Sequence, residues 1–396
     1  MDAPGSPVRA AGARWPRYGS TSAPPFFARS ASSEALRPQP EPRQQLQSHS
    51  HVAACSVLVS HSFALTGSGE DPVKRLIGMV TLGDLAVDLF FVASGFLVTA
   101  SLLKRQNGVD FVWARFLRIY PAYWLMLLMM AFVLGPLFTT LPPSDYFAQS
   151  SIYVRLAKAA TVFIHTASTL PGVFTTNPLP NAVNGSLWTM PYEVRMYAIL
   201  AVTWLLLRWR SDRIRALQRA VIVYALLAAG YLLAEEFALI DQSPRLHQLA
   251  RFIFMFFSGA TFYVLRARIR LHGALFWPLL LLLLLSVEHR HLFFVLYHGS
   301  IAYLLLYLAY VPSGLVRGYN RVGDYSYGFY IYAFPVQQAV VALIPDVSVL
   351  EMVLIAVPVV LLLSALSWHL LEKRVLTLKE RYVQRTRAWL GAAPAE

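Results

Sequence analysis

The sequence predicts an all-α fold, a polytopic bundle of about ten transmembrane helices, on three observations. Of 396 residues 57% are hydrophobic and only 14% charged, far more apolar than a soluble chain of this length. The apolar residues fall in regular runs of membrane-spanning scale, and the breaks between them are rich in arginine. The formal charge of +13 would suggest nucleic acid in a soluble chain; here the cations sit in short loops, so no nucleic-acid partner is expected and the lipid bilayer is the expected surroundings.

Residues 1–50 hold eight prolines and six arginines against three acids and show no apolar period, so a disordered or atypical tail is expected. The first run, His51–Leu65, is short for a span and carries histidines. Nine more follow: Leu85–Leu103, Ile119–Leu137, Leu187–Leu207, Ala220–Leu239, Phe252–Leu265, Ala274–Val287, Leu292–Val311, Tyr325–Ile344 and Leu350–Leu371. Phe252–Leu265 and Ala274–Val287 have 14 residues each and must borrow flanking residues, tilt or thin the bilayer. The membrane unit is set at 51–376, with 377–396 as a cytoplasmic tail.

Loop charge gives the orientation. Lys104/Arg105/Arg115/Arg118, Arg208 to Arg219, Arg266/Arg268/Arg270, Arg317/Arg321 and the tail from Lys373 share one side, while Lys74/Arg75, Arg155/Lys158, Arg245/Arg251 and Arg290 make a poorer set opposite. Both termini are therefore expected in the cytoplasm. In the long outer loop, about 138–186, Arg155, Lys158 and His165 favour an interfacial or re-entrant helix over a span for Ile152–Leu170.

Ionisable residues inside apolar runs mark candidate sites, because charge at membrane depth is costly without a partner or water. Asp88 is the single charge in Leu85–Leu103 and is either part of a site or the polar end of a helix. In the ten-span arrangement His61, Asp84, Asp88 and Glu193 converge near the outer face, where a histidine and carboxylates suit deprotonation of a hydroxyl. Pro191, just before Glu193, would kink its helix and make room for a polar group. Glu235 and Glu236 are expected in solvent. Arg115 and Arg118, at i,i+3, share a helix face and either grip phosphates of a cytosolic donor or serve as topological anchors. No H-E-x-x-H spacing appears, so no metal is expected; the single Cys55 forms no intrachain disulfide and is expected to be buried.

Six segments in order, VLVSHSFALTG at 57–67, VDLFFVASGFLVT at 87–99, RFLRIYPAYW at 115–124, GSLWTMPYEVRMY at 185–197, GDYSYGFYIYAFPVQQ at 323–338 and LSWHLLEK at 366–373, resemble the acyltransferase 3 family over about residues 52–376. These are integral-membrane O-acyltransferases of bacterial surface polysaccharides and related glycosides. The resemblance implies transfer of an acyl group, usually acetyl, from acyl-CoA to a hydroxyl of a glycan or lipid-linked saccharide in the bacterial inner membrane, with no permanently bound cofactor. It implies that His61 is the general base, that Arg115 and Arg118 are the R-x-x-R pair associated with the CoA phosphates, and that Glu193 is the carboxylate of the W-[ST]-x-x-x-E segment. The family has an arginine separated by ten residues from the histidine; that position is Ser50 here, and a displaced N-terminal start or reading frame is the expectation. No fused domain is expected after the tenth run. No Gly-x-Ser-x-Gly elbow is present, which favours direct attack over an acyl-enzyme; a transporter or flippase of a lipid-linked saccharide or acyl group is the alternative.

Overall fold

The computed structural model describes residues 42–163, 168–311 and 324–391. Each apolar run folds as a helix: α1 (Pro42–Leu65), α2 (Leu82–Arg105), α3 (Gly108–Phe138), α4 (Met190–Leu206), α5 (Arg213–Glu236), α6 (Pro244–Leu265), α7 (Gly273–Leu285), α8 (Arg290–Tyr310), α9 (Ser326–Leu343) and α10 (Val349–Trp389). Six of these, α2, α3, α5, α6, α8 and α10, are long and apolar enough to cross a membrane, and no strand occurs among the described residues. The chain is an integral membrane protein.

Local chemistry fixes the helix ends. Thr81 and Asp84 form a reciprocal capping box at the start of α2, Thr81 Oγ1 accepting from the Asp84 N–H at 2.9 Å and the Asp84 carboxylate accepting from the Thr81 N–H at 3.1 Å. Ser348 and Glu351 repeat this at α10. Buried Asp71 caps the short helix Pro72–Ile77 and also accepts from the Leu82 N–H at 3.2 Å, tying the α1–α2 connection to α2. In α3, Pro136 has no N–H for the Phe132 carbonyl one turn back, and the preceding turn, Met130–Leu134, widens to π geometry.

Several boundaries differ from those read in the sequence. Residues 42–50, assigned to the unstructured tail, are the first turns of α1, and residues 1–41 lie outside the described set, as do His165, Arg317 and Arg321. α6 begins at Pro244, eight residues before its apolar run, which carries Arg251 from an expected loop into the helix. Among the described residues of Ile152–Leu170, the helix Ser150–Ala159 covers the first part and ends at Ala159. The tail is helical to Trp389 and lies along α3: Lys379 pairs with Asp110 at 2.7 Å, and Trp113 stacks on Tyr382 and donates to Thr386 Oγ1 at 2.9 Å. Cys55 is exposed, not buried. Glu235 is buried and paired with His247, while Glu236 pairs with Arg290 and His291.

The centre of the bundle is the crossing of α2 and α6. A Cβ on Gly95 would lie 1.8 Å from the Phe256 carbonyl oxygen, and one on Gly259 would lie 2.0 Å from that of Val92, so backbone rests on backbone. Accordingly α2 is 61% buried along its apolar stretch, whereas α10 is 22% buried and turns Leu350, Leu354 and Leu362 outward as a lipid-facing wall. α9 is the second hub. Gln337 donates to the Leu58 carbonyl at 2.9 Å and to Ser62 Oγ at 2.8 Å, fixing α1, and Gln338 donates to the Leu179 and Ala182 carbonyls at 2.9 and 2.6 Å, fixing the loop between α3 and α4.

Candidate active site

His61 stands on α1 between Ser60 and Ser62, the two residues that meet α2 and α9. A Cβ on Gly83 would come within 3.0 Å of Ser60 Oγ, so α1 and α2 touch at this level, and Ser62 is held by Gln337. The imidazole meets the Phe334 ring edge-on, centroids 5.2 Å apart at 78°. Phe334 in turn covers Gly185, where a Cβ would lie 2.5 Å from the ring; only glycine admits this approach. Segments distant in sequence, around His61, Gly185 and Phe334, thus share one packing unit. His61 Nδ1 is buried and has no hydrogen-bond partner, and Asp84 is the carboxylate whose charge acts on the ring. A buried ring nitrogen without a partner is available to a substrate hydroxyl.

Asp88 is engaged elsewhere. It is fully buried, and its carboxylate accepts from Arg251 Nε at 2.9 and 3.2 Å, from Arg251 Nη2 at 3.0 Å and from the Tyr297 hydroxyl at 2.7 Å. Arg251 Nη1 also reaches Asp84 at 3.2 Å, and Nη2 reaches the Asp84 carbonyl at 3.2 Å. The sequence suggested that Asp88 joins His61; the structure binds it to Arg251, and Asp84, one turn earlier on α2 and itself bonded to Thr81 and Arg251, is the carboxylate whose charge reaches the histidine. Arg251 is tolerated inside the bundle because two carboxylates meet it there. Changing Asp88 to Ala leaves the buried arginine with Asp84 alone and is expected to cost about 3 kcal/mol, read as loss of thermal stability in detergent; wild-type stability would show that Asp84 suffices for Arg251.

Arg115, Arg118 and Glu193 form a second cluster. The sequence put the two arginines on one helix face ahead of the apolar run from Ile119; in the structure α3 starts at Gly108, so Arg115 and Arg118 lie roughly 10–15 Å inside it at about 1.5 Å per residue. Glu193 is on the first turn of α4, entered through the tight turn Gly185–Thr189, and both arginines act electrostatically on it. The Tyr197 hydroxyl donates a short hydrogen bond to the Glu193 carboxylate and lies 2.9 Å from Ser94 Oγ.

The two arginines differ in how they are satisfied. Arg118 pairs with Asp324 at 2.8 Å and with Glu372 at 2.9 Å, and its guanidinium lies over the Tyr327 and Trp368 rings. It braces α3 against the start of α9 and the π turn Trp368–Glu372 of α10. Arg115 lies 5.8 Å from the centroid of the Tyr197 ring, and its buried Nε has no hydrogen-bond partner. Of the pair, Arg115 is the one with capacity for a ligand.

Sequence reasoning missed Arg251, Asp324, Glu372, Tyr197 and Gln337. Asp324, Gln337 and Glu372 fall within the segments that carry the resemblance, and a lone acid or amide inside or beside an apolar run was the available signal. Arg251 gave none, because it sits before its run and reads as loop charge.

The family profile described as an acyltransferase domain matches residues 52–369. An O-acetyl transferase of Shigella phage Sf6 is 31% identical over 336 residues, which cover 82% of this chain and 94% of the phage protein. Nodulation protein 10 of Rhizobium leguminosarum bv. viciae is 27% identical over 354 residues, 84% of this chain and 93% of that protein. No solved structure matches the chain. With the matched region reaching from the middle of α1 into the π turn of α10, and so taking in His61, Asp84, Asp88, Arg115, Arg118 and Glu193, the chain belongs to the acyltransferase 3 family.

Proposed function

We propose that this protein transfers an acyl group, acetyl foremost, from acyl-CoA to a hydroxyl of a cell-surface glycan or lipid-linked saccharide, with His61 as general base. The observation that carries the reading is the buried, unpartnered Nδ1 of His61 within reach of the Asp84 charge, a base whose ring nitrogen is left unused by the protein. The acceptor oxygen attacks the thioester carbonyl while His61 takes its proton. Collapse of the tetrahedral intermediate breaks the C–S bond, and the imidazolium returns that proton to the leaving CoA sulfur. The charge of Asp84 favours the imidazolium in between. The phage relative is named an O-acetyl transferase, which supports acetyl as the group and oxygen as the acceptor.

In this reading all ten helices span the bacterial cytoplasmic membrane with both termini in the cytoplasm, as the arginine-rich loops on one side favour. The donor enters from that side and Arg115 contacts it, while Arg118 holds the walls together. Arg115→Gln is then expected to raise the KM for acetyl-CoA about tenfold, the loss of one charge-assisted hydrogen bond, with the acceptor KM little changed. An unaltered donor KM would leave Arg115 a topological anchor.

The test of function incubates membranes containing the protein with acetyl-CoA and candidate saccharides and follows free thiol. Thiol release that requires both acceptor and His61 supports the enzyme. No release with any acceptor, accompanied by movement of saccharide across the membrane, would replace it with a transporter.

A further inference from the structure

A phosphate-bearing donor needs cations that buried carboxylates have not already neutralised, and Arg118 does not meet that need. Around the basic end of the bundle several cations are held by carboxylates: Arg105 and Lys379 by Asp110, and Arg210 by Asp212. Among the described residues Arg213 and Arg215 have no carboxylate at ion-pair distance. Both line one cleft, between the α2–α3 and α4–α5 connections, together with Gln106, Trp204, Ser211, Asp212 and Ile214. It holds about 330 Å³ and opens to solvent.

The cleft is built around Arg213. Its guanidinium lies on the indole of buried Trp204, 3.5 Å from the ring centroid, and Nη2 donates to the Trp204 carbonyl at 2.7 Å. These contacts fix the side chain, yet its buried Nε has no hydrogen-bond partner. The one acid in the lining is already matched: Arg210 donates to the two Asp212 oxygens at 2.8 and 3.3 Å and holds that carboxyl below its usual range. Asp212 makes no side-chain cap on α5, so the first-turn N–H groups of that helix are not satisfied by it.

The cleft and the second cluster lie along the same pair of helices. Gly108, the first residue of α3, packs on Trp204, where a Cβ would lie 3.1 Å from the ring. From Trp204, α4 runs seven residues back to Tyr197, roughly 10 Å, and there Arg115 sits over the ring. The seam between α3 and α4 therefore joins the basic cleft to Arg115 and Glu193.

We propose that this cleft seats the nucleotide end of the CoA donor, with Arg213 and Arg215 taking its phosphates, so that the acyl-bearing arm enters the α3–α4 seam toward Arg115. The proposal rests on the acyl-CoA reading above. Phosphate chemistry is shared by anionic lipid headgroups, which the experiment separates.

The probe is adenosine 3′,5′-bisphosphate, titrated against the full-length protein in nanodiscs of phosphatidylcholine and in nanodiscs containing phosphatidylglycerol. Binding is expected to weaken at least about tenfold in Arg213→Gln, less in Arg215→Gln, and to be largely kept in Arg213→Lys. The KM for acetyl-CoA should rise with it at unchanged kcat, while turnover of acetyl-pantetheine, which lacks the nucleotide, should not respond to either variant. Equal binding by wild type and both glutamine variants would overturn the proposal, as would bisphosphate binding abolished by phosphatidylglycerol, which would make the cleft a headgroup site. If acetyl-CoA proves not to be a donor yet bisphosphate binding still depends on Arg213, the cleft stands and the donor reading falls. Transfer from acetyl-CoA with wild-type KM in both variants gives the reverse.

Discussion

Replacing Gly95 by leucine is expected to abolish accumulation of folded protein, and Gly95→Ala to lower stability by about 3 kcal/mol or more. The reason is geometric. A Cβ at Gly95 would stand 1.8 Å from the Phe256 carbonyl oxygen, and that oxygen belongs to helix backbone, so no side-chain rotation relieves the clash. Separating α2 from α6 would also pull Arg251 from Asp88, since these residues lie on the same two helices. Packing and electrostatics therefore fail together. Gly259→Ala meets the Val92 carbonyl at 2.0 Å and should behave alike, whereas Gly230→Ala on α5, which meets nothing within 4 Å, is the control expected to keep full stability. Size-exclusion profiles and thermal unfolding in detergent read all three. A Gly95→Ala protein as stable as wild type would show that α2 and α6 do not cross at backbone contact.

Replacing His61 by alanine is expected to reduce acyl transfer about 100- to 10,000-fold while leaving the fold intact. His61 touches Phe334 but makes no hydrogen bond through Nδ1, so truncation leaves no buried partner unsatisfied. The anchors of α1, Gln337 to Leu58 and Ser62, are untouched. The loss should fall on kcat, because the proton is moved only as the hydroxyl attacks. Asp84→Asn is expected to give a smaller loss in kcat, since it removes a charge acting on the ring and not the base itself. A His61→Ala protein with wild-type kcat would assign the base elsewhere.

The helices were largely legible and their polar partners were not. Every apolar run appears as a helix, because about 20 apolar residues need no tertiary context to be read as a span. The starts of α1 and α6 were misplaced for one shared reason. Their first turns, QQLQSHSH and RLHQLAR, are helix-compatible but polar, so a hydropathy reading ends where the helix continues. Arg251 shows the limit most clearly. Its partner Asp88 is 163 residues away in sequence, and only the crossing of α2 and α6 makes a loop-like arginine into a buried one. The same holds for Arg118, whose carboxylates come from positions 324 and 372. Asp84, noted in the sequence, gained importance because its capping box with Thr81 orients it beside α1, while Asp88 turned to Arg251.

The central claim is that an acyl group moves from CoA to a saccharide oxygen at His61. The direct measurement supplies purified full-length protein in liposomes with acetyl-CoA isotopically labelled in the acetyl group and a panel of saccharides, and identifies the labelled product by mass spectrometry. The account requires the label to appear as an ester on a saccharide hydroxyl with the wild-type protein and to be nearly absent with His61→Ala. Label reaching the saccharide equally with both proteins, or never reaching it while saccharide crosses the bilayer, would contradict it.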